Sequence, residues 1–344
     1  MSSIRSLTAT YTKPPLRDPF VLSIRSATHA NVIRWQLELS NGEVYLGESV
    51  PVQYVTGETP DTVLASLESF RHLLIGRSLE AGIEELMEPL DRAHPSDHAA
   101  RAGVEMALYQ AIAGSEGKTL QELFGGRRLR IETDLTISRI PNAVDVAKRA
   151  LASGFRIFKV KIGGGELAED LDRLVALRAC SPEAIFRLDA NQALDADEAL
   201  RRVDAILEAG VPVELVEQPV PKEDLAALSE VARLSPVPVI ADEACRSVED
   251  ARRIVETTPV HGVNVKLMKT GLRGAQEIML LTQAAGKRLM IGCMLESEVG
   301  MSASVALASG SGAFDYNDLD GHLLLDLQEP IRLFEAEGPW LRAL

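Results

Sequence analysis

The chain has few of the features that mark secreted, membrane or zinc-binding proteins. Only three cysteines occur, far apart along the sequence, which argues against a disulfide framework and against a thiolate zinc site. Apolar runs long enough to span a membrane are missing. The N-terminal stretch MSSIRSLTATYTKPP also lacks the apolar core of a signal peptide. These absences predict a cytoplasmic protein.

Basic residues are in the minority. The 36 lysines and arginines face 50 acidic residues, which gives a formal net charge of −14. We therefore expect neither a nucleic acid nor a membrane surface as a partner. Hydrophobic residues make up 46% of the 344 positions. That is enough for a large core, and the length allows a barrel together with a smaller domain.

The first 125 residues differ in pattern from the rest. Val32–Leu39 alternates between apolar and polar residues, and Asn41-Gly42 is a turn signal. With 44–47 as the strand that runs back after the turn, this pattern predicts a β-hairpin. Helical patterns follow at 60–75, 80–91 and 96–114. We predict an α+β domain over 1–125, completed by the C-terminal segment 326–344.

From about residue 130, short apolar runs alternate with helical patterns. Candidate strands lie at 131–138, 155–161, 184–189, 213–217, 237–241, 262–267, 288–292 and 313–316. Candidate helices lie at 142–152, 166–179, 195–209, 222–233, 247–256 and 272–285. Alternation of this kind favours a parallel sheet, and about eight strands favour a closed barrel. The predicted fold class is α/β, with the barrel at 126–325.

Three carboxylates end successive predicted strands. They are Asp189 in FRLDAN, Glu217 in ELVEQP and Asp242 in PVIADE, spaced by about the length of one strand-and-helix unit. Because the carboxyl ends of parallel barrel strands meet at one rim, the three should converge. Hard oxygen ligands of this kind suit Mg²⁺. Asn191 and Glu243 flank them and are candidates for supporting the ligands.

Lysines stand at both ends of this series. Lys159 and Lys161 lie in FKVKIG, and Lys266 lies in VNVKLMKTG. Residues two apart on a strand face the same side, so Lys159 and Lys161 should both face the barrel interior. A neighbouring cation lowers the pKa of a lysine, and a lysine with a lowered pKa can act as a base near neutral pH. The interpretation is Lys161 as the base and Lys159 as the charge that tunes it.

The motifs KVKIG, LDAN, VEQP, ADE and NVKLMKTG resemble the enolase superfamily, in its muconate-lactonizing subgroup. This resemblance covers nearly the whole chain. It implies a (β/α)7β modified TIM barrel, an N-terminal α+β capping domain and one Mg²⁺ per subunit. It further implies that Lys161 and Lys266 are acid/base groups on opposite faces of the substrate α-carbon, and that the three carboxylates are the metal ligands.

Other motifs bear on the substrate. FDYNDLDGH contains Asp318 and Asp320, which resemble a pair that binds the substrate ammonium group in dipeptide epimerases. Arg25 lies in a segment that resembles a capping loop, where an arginine pairs with a glutamate side chain. GCMLES resembles the loop after the seventh strand, and Met294 and Glu296 are its candidates for shaping the pocket. A turn role for the aspartates and an outward position for Arg25 stay open.

The resulting hypothesis is a Mg²⁺-dependent epimerase of dipeptides. Two lysines would perform a 1,1-proton transfer through a stabilised enolate, and L-Ala-D/L-Glu from peptidoglycan turnover is the first substrate to test. Racemisation of N-acylamino acids, o-succinylbenzoate synthesis and cycloisomerisation stay open on the same site. A non-catalytic binding protein on the same fold is a remote alternative. A homo-oligomer is expected.

Overall fold

The computed structural model describes residues 2–22, 25–127, 129–328 and 331–344. The N-terminal part contains five strands followed by six short to medium helices. The strands are β1 Ile4–Thr12, β2 Pro15–Val21, β3 Ser26–His29, β4 Val32–Leu39 and β5 Val44–Ser49. The helices are α1 Gln53–Thr56, α2 Pro60–Ala65, α3 Leu67–Leu74, α4 Gly82–Ala93, α5 His98–Ser115 and α6 Leu120–Leu123.

The antiparallel sheet of this part has the order β1-β4-β5. Its apolar face packs on α2 to α5 around Trp35 and Phe70, both fully buried. The predicted hairpin is confirmed as the pair β4 and β5. The helical pattern predicted from residue 60 begins as expected, since the Thr59 side chain caps the first turn of α2 and Pro60 is its first residue.

Eight strands and seven helices then alternate before a short last helix. The strands that follow β6 Ile131–Glu132 are β7 Leu135–Ile137, β8 Ile157–Lys161, β9 Ile185–Asp189, β10 Val213–Glu217, β11 Val239–Ala241, β12 Gly262–Lys266, β13 Arg288–Gly292 and β14 Tyr316–Asp318. The helices are α7 Ala143–Ala152, α8 Leu167–Cys180, α9 Ala196–Glu208, α10 Leu225–Leu234, α11 Val248–Thr257, α12 Leu267–Ala284, α13 Glu298–Ser311 and α14 Gly321–Leu324.

Strands β7 to β14 form one parallel sheet in chain order, which confirms the (β/α)7β barrel. The first and last strands approach each other, because the Asp134 N–H donates to the Asn317 carbonyl at 3.3 Å. Successive residues of β12, and of β9 after Ile185, are buried on both faces, as parallel strands covered by helices should be. The last barrel strand lies about three residues later than the predicted 313–316, and sequence reasoning missed α13.

The C-terminal segment forms a hairpin of β15 Phe334–Glu337 and β16 Trp340–Ala343. Strand β16 pairs with β6 at Ile131–Glu132, at the start of the barrel part, rather than with the N-terminal sheet. Contact with the N-terminal part comes from an earlier residue, since the Asp326 N–H donates to the Pro15 carbonyl. The domain boundaries at 125 and 325 stay predictions.

The small sheet of β2 and β3 lies over the mouth of the barrel. Its position is fixed by polar contacts to α7, where Asn142 and Arg149 both bond the Asp18 carboxylate. The N-terminal part therefore covers the end of the barrel at which the strand termini converge. Within the described ranges, none of the helices combines the length and apolar composition that crossing a lipid bilayer requires.

Candidate active site

Strand register places the charged residues in two rows. Lys161 pairs with Asp189, and Asp189 pairs with Glu217, on adjacent strands. Across the barrel, Lys266 pairs with Gly292 and Gly292 with Asp318. Paired residues of neighbouring parallel strands share a face, so both rows present their side chains to the same central space.

That space is a cavity of about 350 Å³ between the barrel rim and the capping segments. Its volume lies in the range usual for small-molecule sites. The barrel contributes lysines and carboxylates to the wall, and the N-terminal part contributes a largely apolar cover. The cover includes Phe20, Leu22, Val52, Tyr54 and Val55.

The three predicted ligands come together and are buried. Burial and the Asp189 charge raise the pKa of Glu217 to about 8. Burial would also raise the pKa of Asp189, but Lys161 and Lys159 outweigh it and hold that pKa at about 2. Nearby, Asn191 Oδ1 and Glu243 Oε2 are buried without a hydrogen-bond partner among the described residues. Concentrated carboxylates with spare buried oxygens fit a hard divalent cation.

Neighbouring amides hold this arrangement in place. The Gln218 side-chain oxygen accepts the N–H groups of Asp242 and Ala244, each at 3.0 Å, which ties β10 to the loop after β11. Asn264 donates to Glu217 Oε1 at 2.8 Å. Asn191 and Gln218 adopt positive φ values of 43° and 33°. Such backbone strain in non-glycine residues is typical of functional sites.

Lys161 and Lys266 approach the carboxylates from opposite sides. The Lys161 ammonium lies 2.7 Å from Asp189 Oδ2, and that of Lys266 lies 2.8 Å from Asp242 Oδ2. Their strands, β8 and β12, are four apart in an eight-stranded barrel. The two lysines therefore face each other across the cavity, and both line it.

Lys159 lies deeper in the barrel. Its ammonium is within 2.7 Å of both Glu217 and Asp318 and 3.1 Å from Asp189. Burial alone would lower the pKa of Lys159, but these carboxylates outweigh it and raise the pKa well above its usual range. Asp242 does the same for the pKa of Lys266, again against the effect of burial. Carboxylates therefore outweigh burial at both Lys159 and Lys266. The tuning of Lys161 by the charge of Lys159 stays a prediction.

Asp318 and Asp320 both line the cavity. Asp318 accepts a hydrogen bond from the Lys159 ammonium group, and Asp320 Oδ2 accepts one from the Thr136 N–H at 2.6 Å. Both carboxylates are buried. They are aimed into the cavity rather than engaged in capping the chain turn that contains them, so the alternative of a simple turn role is not supported.

Arg25 also lines the cavity, from the tip of the β2–β3 hairpin. Its guanidinium stacks on the Tyr54 ring at 4.5 Å from the centroid. The side chain is exposed and forms no ion pair within the described part of the chain. Ser23 and Ile24 of the same predicted loop lie outside the described residues.

The loop after β13 differs from expectation at one of its two predicted residues. Met294 lines the cavity, as does Leu295. Glu296 does not, because its carboxylate folds back to accept the Met294 N–H and is buried beside Glu48 of the N-terminal part. Glu296 as a substrate contact is therefore corrected to a residue that holds the loop carrying Met294.

Family comparisons agree with this site. A model of the mandelate racemase / muconate lactonizing enzyme N-terminal domain matches residues 4–125. An enolase C-terminal domain-like model matches residues 142–332, the part that contributes the lysines and carboxylates. The chain belongs to the mandelate racemase and muconate lactonizing enzyme family of the enolase superfamily.

Individual relatives in this family are dipeptide epimerases. An aromatic dipeptide epimerase of Herpetosiphon aurantiacus is 36% identical over 94% of this chain and 91% of its own. An L-Ala-D/L-Glu epimerase of Thermotoga maritima is 33% identical over 99% of both chains. The structure of a dipeptide epimerase from Enterococcus faecalis, complexed with Mg and L-Leu-L-Tyr, superposes with a TM-score of 0.93 at 30% identity, covering 99% of this chain and 97% of that chain.

Sequence reasoning missed several residues that contact the predicted ligands. Lys269 is almost fully buried and donates to Asp242 Oδ1 at 2.6 Å, to the Asp242 carbonyl and to the Asn264 carbonyl. Gln218 and Asn264 stand inside the motifs VEQP and NVKLMKTG, so the signal was a second polar residue close to Glu217 and to Lys266. Tyr54 begins the segment YVTGET, which also resembles a capping loop, and it lines the cavity.

Proposed function

We propose that this protein is a Mg²⁺-dependent epimerase that inverts the α-carbon of the C-terminal residue of dipeptides. The observation that supports this most is the opposition of Lys161 and Lys266 across the cavity, with the carboxylates between them. Inversion by 1,1-proton transfer needs one group to take a proton from one face and a second group to return a proton to the other.

Asp189, Glu217 and Asp242 would hold the metal ion, supported by Asn191 and Glu243. When bound, Mg²⁺ supplies Lewis-acid stabilisation of negative charge on the substrate carboxylate. Co-occurrence of Mg and a dipeptide in the Enterococcus faecalis structure supports this assignment. The buried oxygens of Asn191 and Glu243 that lack a partner support it independently.

Each lysine would act as base for one epimer and as acid for the other. Lys161 and Lys266 are both ion-paired to a carboxylate, so each is positioned as an ammonium ready to return a proton. Lys159 would not exchange protons with substrate. It would hold Asp189, Glu217 and Asp318 together as a fixed positive charge.

The dipeptide N-terminus would bind at Asp318 and Asp320, since two buried carboxylates facing the cavity favour a cation. A neutral N-acyl group offers no charge to compensate them. Arg25 would meet an acidic side chain, which makes L-Ala-D/L-Glu the first substrate to test and peptidoglycan turnover the proposed setting. The homo-oligomeric state and the cytoplasmic location stay predictions from the sequence.

The decisive test is α-proton exchange. Enzyme and Mg²⁺ are incubated in D₂O with a dipeptide library and with the N-acetylated forms, and mass spectrometry follows deuterium gain. We expect gain at the C-terminal residue of free dipeptides only. Gain confined to the N-acetylated compounds would contradict the proposal and favour racemisation of acylamino acids.

Variants assign the residues in the same assay. Lys161→Ala and Lys266→Ala should each abolish epimerisation, whereas Lys148→Ala, at an exposed site on α7, should not. Arg25→Met should lower kcat/KM for L-Ala-L-Glu by about tenfold or more, the usual effect of losing a charged hydrogen bond, and leave L-Ala-L-Leu nearly unchanged. Retained epimerisation in a lysine variant would remove that lysine from its role.

A further inference from the structure

A third carboxylate, Asp134, lies beneath the proposed ammonium site. It precedes β7, is completely buried and does not line the cavity. One carboxylate oxygen from each of Asp134, Asp318 and Asp320 lies within 4.8 Å of the others. We call these three residues the aspartate cluster.

The two oxygens of Asp134 have different surroundings. Oδ2 accepts a hydrogen bond from Arg187 Nη1 at 2.8 Å. Oδ1 is buried and has no hydrogen-bond partner in the ranges that the structure describes. A buried carboxylate oxygen without a partner is costly when the group is charged, so protonation of the carboxyl group would reduce this cost.

Among the described residues, two cations form ion pairs with the aspartate cluster, Lys159 with Asp318 and Arg187 with Asp134, which is fewer than its three carboxylates. Lys159 is shared among Asp318, Asp189 and Glu217. Arg187 is shared between Asp134 and Glu214, with its Nε 2.7 Å from Glu214. Because like charges this close in a buried site disfavour full ionisation, one member of the cluster should keep a proton.

The pKa shifts of the three aspartates agree with one retained proton in the cluster. Burial, followed by the Asp318 charge, raises the pKa of Asp134 well above its usual range and raises the pKa of Asp320 to about 6. At Asp318, burial is outweighed by Lys159, with Lys266 and Lys161 adding to the lowering of its pKa. From the loop after β13, Cys293 faces the cluster, and burial together with Asp318 and Asp320 raises its thiol pKa, so it adds no negative charge.

We propose that the aspartate cluster holds one proton in the free protein and releases it to solvent when a dipeptide ammonium group binds at Asp318 and Asp320. This inference rests on the proposed function and adds Asp134 to it as a positioning residue. The incoming ammonium brings one positive charge and the departing proton removes one. The net charge of the buried site is therefore unchanged, and no covalent bond other than the O–H bond is broken.

Proton release can be measured by calorimetry. L-Ala-Gly with Mg²⁺ is the probe, because the glycine α-carbon has no epimers and turnover produces no new compound. Titrations at pH 6.0 in two buffers of different ionisation enthalpy give the number of protons released, and a dipeptide ammonium is fully protonated at this pH. We expect the wild-type protein to release about one proton per dipeptide.

Asp134→Asn is the matched variant, since its amide oxygen can still accept from Arg187 while the side chain carries no charge and no acidic proton. It has no proton to lose, so we expect less than half of the wild-type release and a Kd within about threefold of wild type. A fall of tenfold or more in the affinity of this variant would show that Asp134 acts as a fixed charge and would overturn the proposal.

The wild-type measurement decides the question even if the variant fails to fold. Binding of L-Ala-Gly without net proton release would overturn the inference while leaving the epimerase proposal intact, because deuterium exchange tests that proposal separately. Equal release by wild type and Asp134→Asn would also overturn it. Absence of both binding and exchange with every dipeptide would remove the proposed function together with the inference.

Discussion

At the scale of single residues, the two oxygens of one carboxylate, that of Asp242, pair with two different lysines. Asp242 presents Oδ2 to Lys266, which lines the cavity, and Oδ1 to Lys269, which does not. Burial is outweighed at Asp242 by these two lysines, and its pKa is held well below the usual range. Lys269 therefore orients a proposed metal ligand, while Lys266 stays available to the substrate.

Replacing Lys269 by methionine tests this division. The variant keeps the length of the side chain but leaves Asp242 Oδ1 and two backbone carbonyls without their shared donor. We expect Mg²⁺ affinity to fall by about 10- to 100-fold, as for other residues that orient metal ligands, and isothermal titration with Mg²⁺ measures it.

Lys148→Met is the control for this experiment, since Lys148 is exposed. Loss of one positive charge near the metal would act in the opposite direction, towards tighter binding. Mg²⁺ affinity equal to or above that of wild type in Lys269→Met would therefore contradict an orienting role.

At the scale of elements, the barrel depends on an interruption in α12. Gly271 adopts φ 66° and ψ −177°, a region that only glycine enters readily. The break frees the N–H groups of Leu272 and Arg273, which donate to the Glu105 carboxylate on α5. Arg273 adds an ion pair to Glu105 at 2.8 Å. The helix thereby restarts with its new N-terminus fixed by the capping part, just after strand β12, which carries Lys266.

Gly271→Ala should therefore destabilise the protein through both strain and collision. A Cβ at this position would lie 1.9 Å from Glu105 Oε2. We expect a loss of about 2–4 kcal/mol in the free energy of unfolding, measured by urea denaturation. Gly210→Ala is the control, because Gly210 also has a positive φ, 78°, but open space around it. Equal losses in the two variants would show that the contact with Glu105 adds nothing.

At the scale of the whole molecule, two buried acids join the capping part to the barrel. Glu48 on β5 accepts the Ser297 N–H at 2.7 Å and bonds the Ser297 hydroxyl. Glu296 lies against it, and a Cβ built on Gly300 would lie 2.7 Å from Glu296 Oε2 and 3.0 Å from Glu48 Oε1. Burial raises the pKa of Glu296 to about 8 and that of Glu48 to about 7.

These raised pKa values predict a stability that falls with rising pH. A carboxyl whose folded-state pKa exceeds its unfolded value stabilises the fold fully below the unfolded pKa, and this stabilisation is lost as pH rises through the folded pKa. For Glu296 the loss should extend from about pH 4.5 to about pH 8. Glu296→Gln keeps the group neutral, so its Tm should fall less than that of wild type between pH 5.5 and 8.5.

Glu183→Gln, at an exposed position, should follow the wild-type profile, with the same Mg²⁺ concentration in all samples. A wild-type profile and a Glu296→Gln profile that run parallel would show that Glu296 does not exchange a proton in this range. The predicted fall of stability through the titration of Glu296 would then be wrong.

Most of the fold and the central site could be predicted from local sequence. Alternation of apolar runs with amphipathic helices, a short-range pattern, was enough for the eight-stranded barrel. Register followed too, because residues that end parallel strands converge whatever the rest of the chain does. That is why spacing was enough to place Asp189, Glu217, Asp242, Lys161 and Lys266 at one rim, whereas the acid/base pairing of the two lysines came from the resemblance.

Tertiary structure decided what depends on contacts between distant segments. Glu296 was assigned to the substrate, but the approach of β5 turns it towards Glu48. The C-terminal hairpin pairs with β6 because a free edge is available there. Burial would lower the pKa values of Lys159 and Lys266, but the carboxylates around each ammonium raise them, and the number of those carboxylates depends on how the strands close. Pattern and spacing in the sequence determine which strand ends meet. The charge balance of the site, the residues that cover the cavity and the partners of buried polar groups depend on how distant segments pack around those strand ends.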